Sequence, residues 1–178
     1  MSKDPKNDNF LFRILSLIDR RCRALTPGMT FTGIDVAAKT VAYWTTDDSH
    51  KLSWSTLPFA AQGIVQALRH PKETENRAIF VRAFEASQRQ VVEELERQQG
   101  AKYATSIFDA EAIVQDSKTR LEADKSDLGA AFAGVQIAFL MPGYGSDFVK
   151  AGKYLVNDFV EMPKLTLEEA IEDVLKEF

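Results

Sequence analysis

The longest apolar stretch in the chain runs from Leu128 to Met141, where Ala130, Ala131, Phe132, Val135, Ile137, Ala138, Phe139 and Leu140 leave almost no polar face. It falls short of the roughly 20 apolar residues that cross a bilayer, so it predicts a buried helix whose small residues let neighbours approach closely. A second helix announces its own ends. Ser87 and Gln90 form a capping box, Val91, Val92 and Leu95 line one face, Glu93, Glu94 and Arg97 the other, and Gly100 is the stop. Thr166 and Glu169 repeat the box before a terminal helix with Ile171, Val174, Leu175 and Phe178 on its apolar side. Phe108 to Asp124 predicts a charged helix whose acids, from Glu111 to Glu122, form a solvated face. Phe59 to Leu68 puts Ile64, Ala67 and Leu68 on one helical face and stops near His70, because Pro71 disfavours helical geometry in the residue before it.

Strand signals are fewer. Thr40 to Trp44 is β-branched and aromatic, Thr45 to His50 is turn chemistry, and Lys51 to Trp54 reads as the returning strand of a hairpin. Lys72 to Asn76 reads as a polar loop. The continuous apolar run Ala78 to Val81 then has the pattern of a strand covered on both faces, and Lys102 to Ile107 can be another strand. The alternation predicts an α/β fold, yet with only about three credible strands, fewer than the five or six of a doubly wound sheet. Upstream, Phe10 to Leu25 spaces Phe10, Ile14, Leu17 and Ile18 as a short amphipathic helix, and Pro27-Gly28 separates residues 1–30 as their own element.

Composition narrows the function classes. Among 178 residues, 26 acids against 22 bases give a net charge of −4, which argues against an overall nucleic-acid footprint. The single cysteine, Cys22, excludes an internal disulfide and a cysteine zinc cage, and no run is a membrane span, so a cytoplasmic protein is expected. Arg13 interrupts the first apolar run, which excludes a secretory signal there.

No catalytic constellation is legible. Gly143-Tyr144-Gly145 lacks a third glycine at Phe148 and follows a helix, so it is expected to be a turn and not a cofactor loop. With Phe139 and Phe148 it supplies aromatic side chains beside mobile backbone, and Phe139, Gly143, Tyr144, Gly145 and Phe148 are the candidate substrate pocket. His50, in a turn among acids, and His70, at a helix end, read as structural or solvated. Cys22 between Arg21 and Arg23 lacks a nearby histidine for a nucleophile's role. Tyr144 and Tyr154 each lie near a lysine (Lys150, Lys153) without further support as acids, and Tyr103 is a third tyrosine of that kind. No metal site is expected.

Three stretches carry a family likeness: Gly33-Ile34-Asp35 with the segment after it; Ala67-Leu68-Arg69-His70-Pro71-Lys72-Glu73-Thr74-Glu75-Asn76-Arg77-Ala78-Ile79-Phe80-Val81; and Leu165-Thr166-Leu167-Glu168-Glu169-Ala170-Ile171. In this order they resemble the carboxyl-terminal part of NmrA-like, isoflavone-reductase-like proteins, atypical short-chain dehydrogenases/reductases of fungal type. The resemblance covers residues 31–178, about four-fifths of the chain. It implies a Rossmann-type fold of which this chain carries mainly the substrate-binding part. It also implies NADPH-linked reduction of a small metabolite in secondary-metabolite biosynthesis, and in other relatives a redox-sensing, non-catalytic regulatory role. The family's glycine-rich motif and catalytic lysine have no counterpart in Met1 to Thr30, so no catalytic or cofactor residue transfers, and an incomplete gene model is a further alternative. A sheet lacking its partner strands would leave several apolar side chains uncovered, each contributing about 1.5–3 kcal/mol when buried. The chain is therefore expected to be marginally stable alone, or to associate with itself or with a complementary dinucleotide-binding chain.

Overall fold

The computed structural model of the chain describes residues 12–13 and 32–176. The strands are β1 (Phe12–Arg13), β2 (Ile34–Asp35), β3 (Thr40–Tyr43), β4 (Leu52–Trp54), β5 (Ile79–Phe80), β6 (Phe84–Ala86) and β7 (Ala104–Ile107). The helices are α1 (Leu57–Arg69), α2 (Pro71–Thr74), α3 (Gln88–Gln99), α4 (Ala110–Ala123), α5 (Leu128–Leu140) and α6 (Leu167–Leu175). The fold is mixed α/β, with its strands distributed over three small sheets: β2-β3-β7, β4-β6 and β1-β5.

Local signals set the helices. The Ser87 hydroxyl accepts from Gln90 N–H at 3.1 Å while Ser87 N–H donates to Gln90 Oε1 at 2.9 Å, and Gly100 closes α3 at φ +62°. Val91 and Leu95 are fully buried in the larger core, together with Val41, Trp54 and Ile171. Helix α6 is capped the same way by Thr166 and Glu169 and packs on α3, while α5 packs on α4. Asp109 and Asp127 cap α4 and α5, and the acids of α4 are exposed as expected.

Pairing departs from the sequence reading in several places. The strand at Leu52–Trp54 does not form a hairpin with β3. It pairs antiparallel with β6, Ser53 facing Glu85, while β3 lies between antiparallel β2 and parallel β7. Trp54 decides this: it is fully buried, its indole N–H donates to Ala86 O at 2.9 Å, and its carbonyl accepts from Ala83 N–H at 2.8 Å. Strands β2 and β6 were not expected at all, because two or three residues carry no legible period. The expected polar loop after His70 begins instead as the helical turn α2, with Pro71 at its start and the Thr74 hydroxyl 3.0 Å from both Ala67 O and His70 O. Phe12–Arg13, expected within a helix, is a strand parallel to β5; the rest of the Phe10–Leu25 helix, Cys22 and Phe178 lie outside the described residues. An open strand edge offers backbone partners that override a weak helical period.

Strand β5 is interior, as its apolar run predicts. It pairs with β1, and Phe80 also bridges Leu155 in parallel. Helix α1 covers it through Phe59, Ala60, Gly63 and Ala67. Gly63 sets the contact: a Cβ there would lie 2.6 Å from Val81 Cγ2, so the helix rolls its glycine face inward. Leu68, expected on the buried face, is consequently 60% exposed.

Gly33 is a second close approach. It sits at φ +73°, and a Cβ there would meet Ala42 O at 2.5 Å, Trp44 Nε1 at 2.8 Å and Gln88 Nε2 at 2.9 Å. This glycine lets the start of β2 lie against β3 and the amino end of α3.

Candidate functional site

Strands β3 and β7 run parallel, so their carboxyl ends share one edge of the sheet, where Trp44 stacks on Phe108 with ring centroids 4.4 Å apart. In open α/β sheets ligands bind outside the carboxyl ends of parallel strands. The segment leaving β3 there forms a narrow cleft with the amino end of α3. Tyr43, Asp47, Asp48, His50, Gln88 and Arg89 line it together with Leu52 and Leu140.

Each wall is held by backbone geometry. Asp47 N–H donates to Thr45 Oγ1 at 3.0 Å, and Asp47 Oδ1 accepts from Ser49 N–H at 2.9 Å. The Ser49 hydrogen bonds hold the Asp47 carboxyl below its ordinary range. On the opposite wall Gln88 is clamped: its Nε2 donates to Thr32 O at 2.8 Å and Ala42 O at 2.9 Å, and its Oε1 accepts from Trp44 N–H at 3.3 Å. Arg89, the next residue, crosses the opening. It meets Asp48 Oδ1 at 2.6 Å and lies 5.0 Å from the centre of the Tyr43 ring. Burial pushes the Tyr43 hydroxyl above its ordinary value, against the pull of Arg89.

His50 completes the wall, with a backbone hydrogen bond to Leu140. Half-buried, it is held below its ordinary value by burial, against the pull of Asp147 and Asp47, so the imidazole is neutral near pH 7. Its Nε2 is buried without a hydrogen-bond partner. His50, read from the sequence as structural or solvated, lies on the cleft wall. The arrangement offers a guanidinium, a neutral imidazole and two carboxylates to a polar ligand. The free volume is about 10 Å³, room for roughly one water, whereas small-molecule sites run to hundreds of cubic ångströms. The cleft is closed.

The five expected pocket residues sit in different surroundings. Phe148 is fully buried, edge-on to Phe80 at 4.9 Å and clustered with Leu155. Tyr144 is 62% exposed. Gly143 and Gly145 turn the chain at φ +89° and +86°, and Phe139 packs half-buried against the main core. Leu140, the last residue of α5 before the loop, lines the cleft, and Asp147 in the loop acts electrostatically on His50. Among the other candidates, His70 Nδ1 lies 2.8 Å from Gln66 O, Tyr103 is buried with its hydroxyl pushed up to about 12, and Tyr154 stacks on Phe159 beneath Arg77. The readable signal for the cleft was the pair Asp47-Asp48 just past a strand, with Arg89 in the first turn of α3.

An open depression of about 290 Å³ near the end of α3 is lined by Glu93, Glu96, Arg97 and Lys102. Lys102 pairs with Glu96 and Arg97 with Glu94, both at 2.6 Å, so both of its cations are already engaged. The residues described do not fit a dinucleotide: the junctions β4–α1, β6–α3 and β7–α4 contain no glycine, and Gly143–Gly145 follows a helix. Among the described residues, no three His, Cys, Asp or Glu side chains are grouped to hold a metal, and no helix is long and apolar enough to cross a membrane. No family model matches the chain, and neither curated proteins nor solved structures include a match to it.

Proposed function

We propose that this chain is the substrate-side part of an NmrA-like, NADPH-linked reductase and that a small metabolite parts the closed walls of the cleft at the carboxyl end of β3 as it binds. The observation that carries the reading is the position of the cleft: polar side chains from the β3–β4 segment and from the first turn of α3 converge beyond parallel strands, where α/β folds keep their ligands. The ordered motifs from Gly33 to Ile171 supply the family. Arg89 and His50 are the recognition groups: Arg89 pairs with an anionic or carbonyl oxygen, and neutral His50 donates to or accepts from a second polar atom. The nicotinamide cofactor is held by a complementary dinucleotide-binding chain. Exposed Leu68, Ile107 and Leu128 are apolar surface on which such association can build.

The test is a fluorescence titration that follows Trp44, beside the cleft, with a panel of aromatic ketones and quinones, and separately with NADPH. Saturable change with a carbonyl compound, lost in Arg89→Ala, is expected. A panel without saturation, or saturation unaffected by Arg89→Ala, would count against the reading.

A further inference from the structure

Arginine meets carboxylates in two ways in this molecule. Arg97 gives Nε and Nη2 to the two oxygens of Glu94, at 2.9 and 2.6 Å, and Arg120 gives Nε and Nη2 to those of Asp127, at 2.9 and 3.0 Å. Arg89, on the cleft wall, gives only Nε, to Asp48 Oδ1 at 2.6 Å, and its two Nη groups have no hydrogen-bond partner among the described residues. Its guanidinium rests 5.0 Å from the centre of the Tyr43 ring, a third residue of the same cleft. Glu93, one turn along α3, acts on it through charge and forms no hydrogen bond with it, so the fork stays open. Asp48 is exposed, and the contact with Arg89 is its side chain's one hydrogen bond among the described residues. The turn that carries it is held by its neighbour: Ser49 N–H donates to Asp47 Oδ1 at 2.9 Å and His50 N–H to Asp47 O at 3.3 Å.

We propose that Asp48 is a built-in stand-in for the ligand, and that the metabolite is a carbonyl compound bearing a carboxylate, which displaces Asp48 from Arg89 as the cleft walls part. The inference rests on the cleft being the binding site, and adds the substrate class and the group that yields. The closed cleft shows which chemistry the guanidinium accepts, since a carboxylate oxygen already sits on it. An exposed one-point ion pair is weak, whereas a carboxylate offering both oxygens makes two parallel, charge-assisted bonds, the arrangement at Arg97 and Arg120. A neutral ketone presents one oxygen and no charge, and competes poorly with Asp48 for the same cation. The exchange strands no buried charge, because the released Asp48 carboxylate is already exposed, and the turn keeps its shape through Asp47.

Two measurements on the full chain test this. The first needs no ligand: phenylglyoxal labelling of Arg89, read by peptide mass spectrometry, is expected to be several-fold faster in Asp48→Ala than in the wild type, with Arg97 labelled equally in both as a check on the fold. The second is calorimetric titration with benzoylformate and with acetophenone, which differ by the carboxylate. Asp48→Ala is expected to tighten benzoylformate by about tenfold and to leave acetophenone unchanged. Arg89→Lys, which keeps the charge and loses the fork, should abolish that gain, and benzoylformate should slow the labelling of Arg89. Equal Arg89 labelling in wild type and Asp48→Ala overturns the proposal. So does acetophenone binding that is lost in Arg89→Ala together with a benzoylformate affinity that Asp48→Ala does not raise, a result that leaves the cleft reading in place. Faster Arg89 labelling in Asp48→Ala with neither compound binding to any variant ends both the cleft reading and the substrate class.

Discussion

Two neighbouring regions bury polar side chains and treat them differently. At the amino end of α3, Gln88 has both ends of its amide engaged, by Thr32, Ala42 and Trp44, and is almost completely buried. At the β4–β6 ribbon, Glu85, Arg82 and Ser146 each leave a buried polar atom without a partner, as does His50 on the adjoining cleft wall. A buried amide that meets its partners specifies one arrangement, whereas half-met groups leave the local structure responsive to protonation or to a ligand. The first region fixes where β2, β3 and α3 sit; the second is where the molecule can change.

The largest expected effect breaks the fixed region. Gly33→Ala places a side chain at φ +73° and against Ala42 O, and should cost about 3 kcal/mol or more, read as a lowered urea midpoint. Next, Gln88→Leu removes the bridge between Thr32, Ala42 and Trp44 and leaves those backbone groups without their side-chain partner. A loss of about 2–3 kcal/mol is expected in the same measurement.

In the responsive region the effects are smaller and depend on pH. A carboxyl raised in the folded state gives stability that is fully present below its ordinary value of 4.5 and is lost as pH rises through the folded value. Glu85→Gln is therefore expected to raise the thermal midpoint at neutral pH and to converge on the wild type under acid conditions. A histidine lowered in the folded state works the other way. His50 contributes least at low pH, and its stability is lost as pH falls from its ordinary value of 6.5 through the folded one. His50→Gln should thus flatten the acid side of the stability profile and leave the alkaline side unchanged. Smallest of all, Arg89→Ala breaks an exposed ion pair and a contact with the Tyr43 ring and should move stability by about 1 kcal/mol or less, measured by urea denaturation. A change well beyond that would make Arg89 a structural residue of the fixed region instead of a recognition group.

The helices were legible because their signals are local: Ser87 with Gln90, Gly100, Thr166 with Glu169, and Pro71 act over three or four residues. The cleft was not, because it joins Tyr43 and Asp48 to Arg89, more than forty positions away. The surroundings of Phe148 were undecided for the same reason. An aromatic beside glycines suits a pocket or a core equally, and only Phe80 and Leu155 decide between them.

The sequence by itself determined the helical segments, their caps and the interior character of Ile79–Phe80, since propensity, capping and periodicity are written within a few residues. The tertiary structure alone decided that β4 joins β6 and not β3, that α1 turns Gly63 and not Leu68 inward, and that the polar residues of the β3–β4 segment and of the start of α3 share one cleft. Those outcomes depend on which distant backbone edge or side chain is in reach, and no stretch of chain carries that information alone.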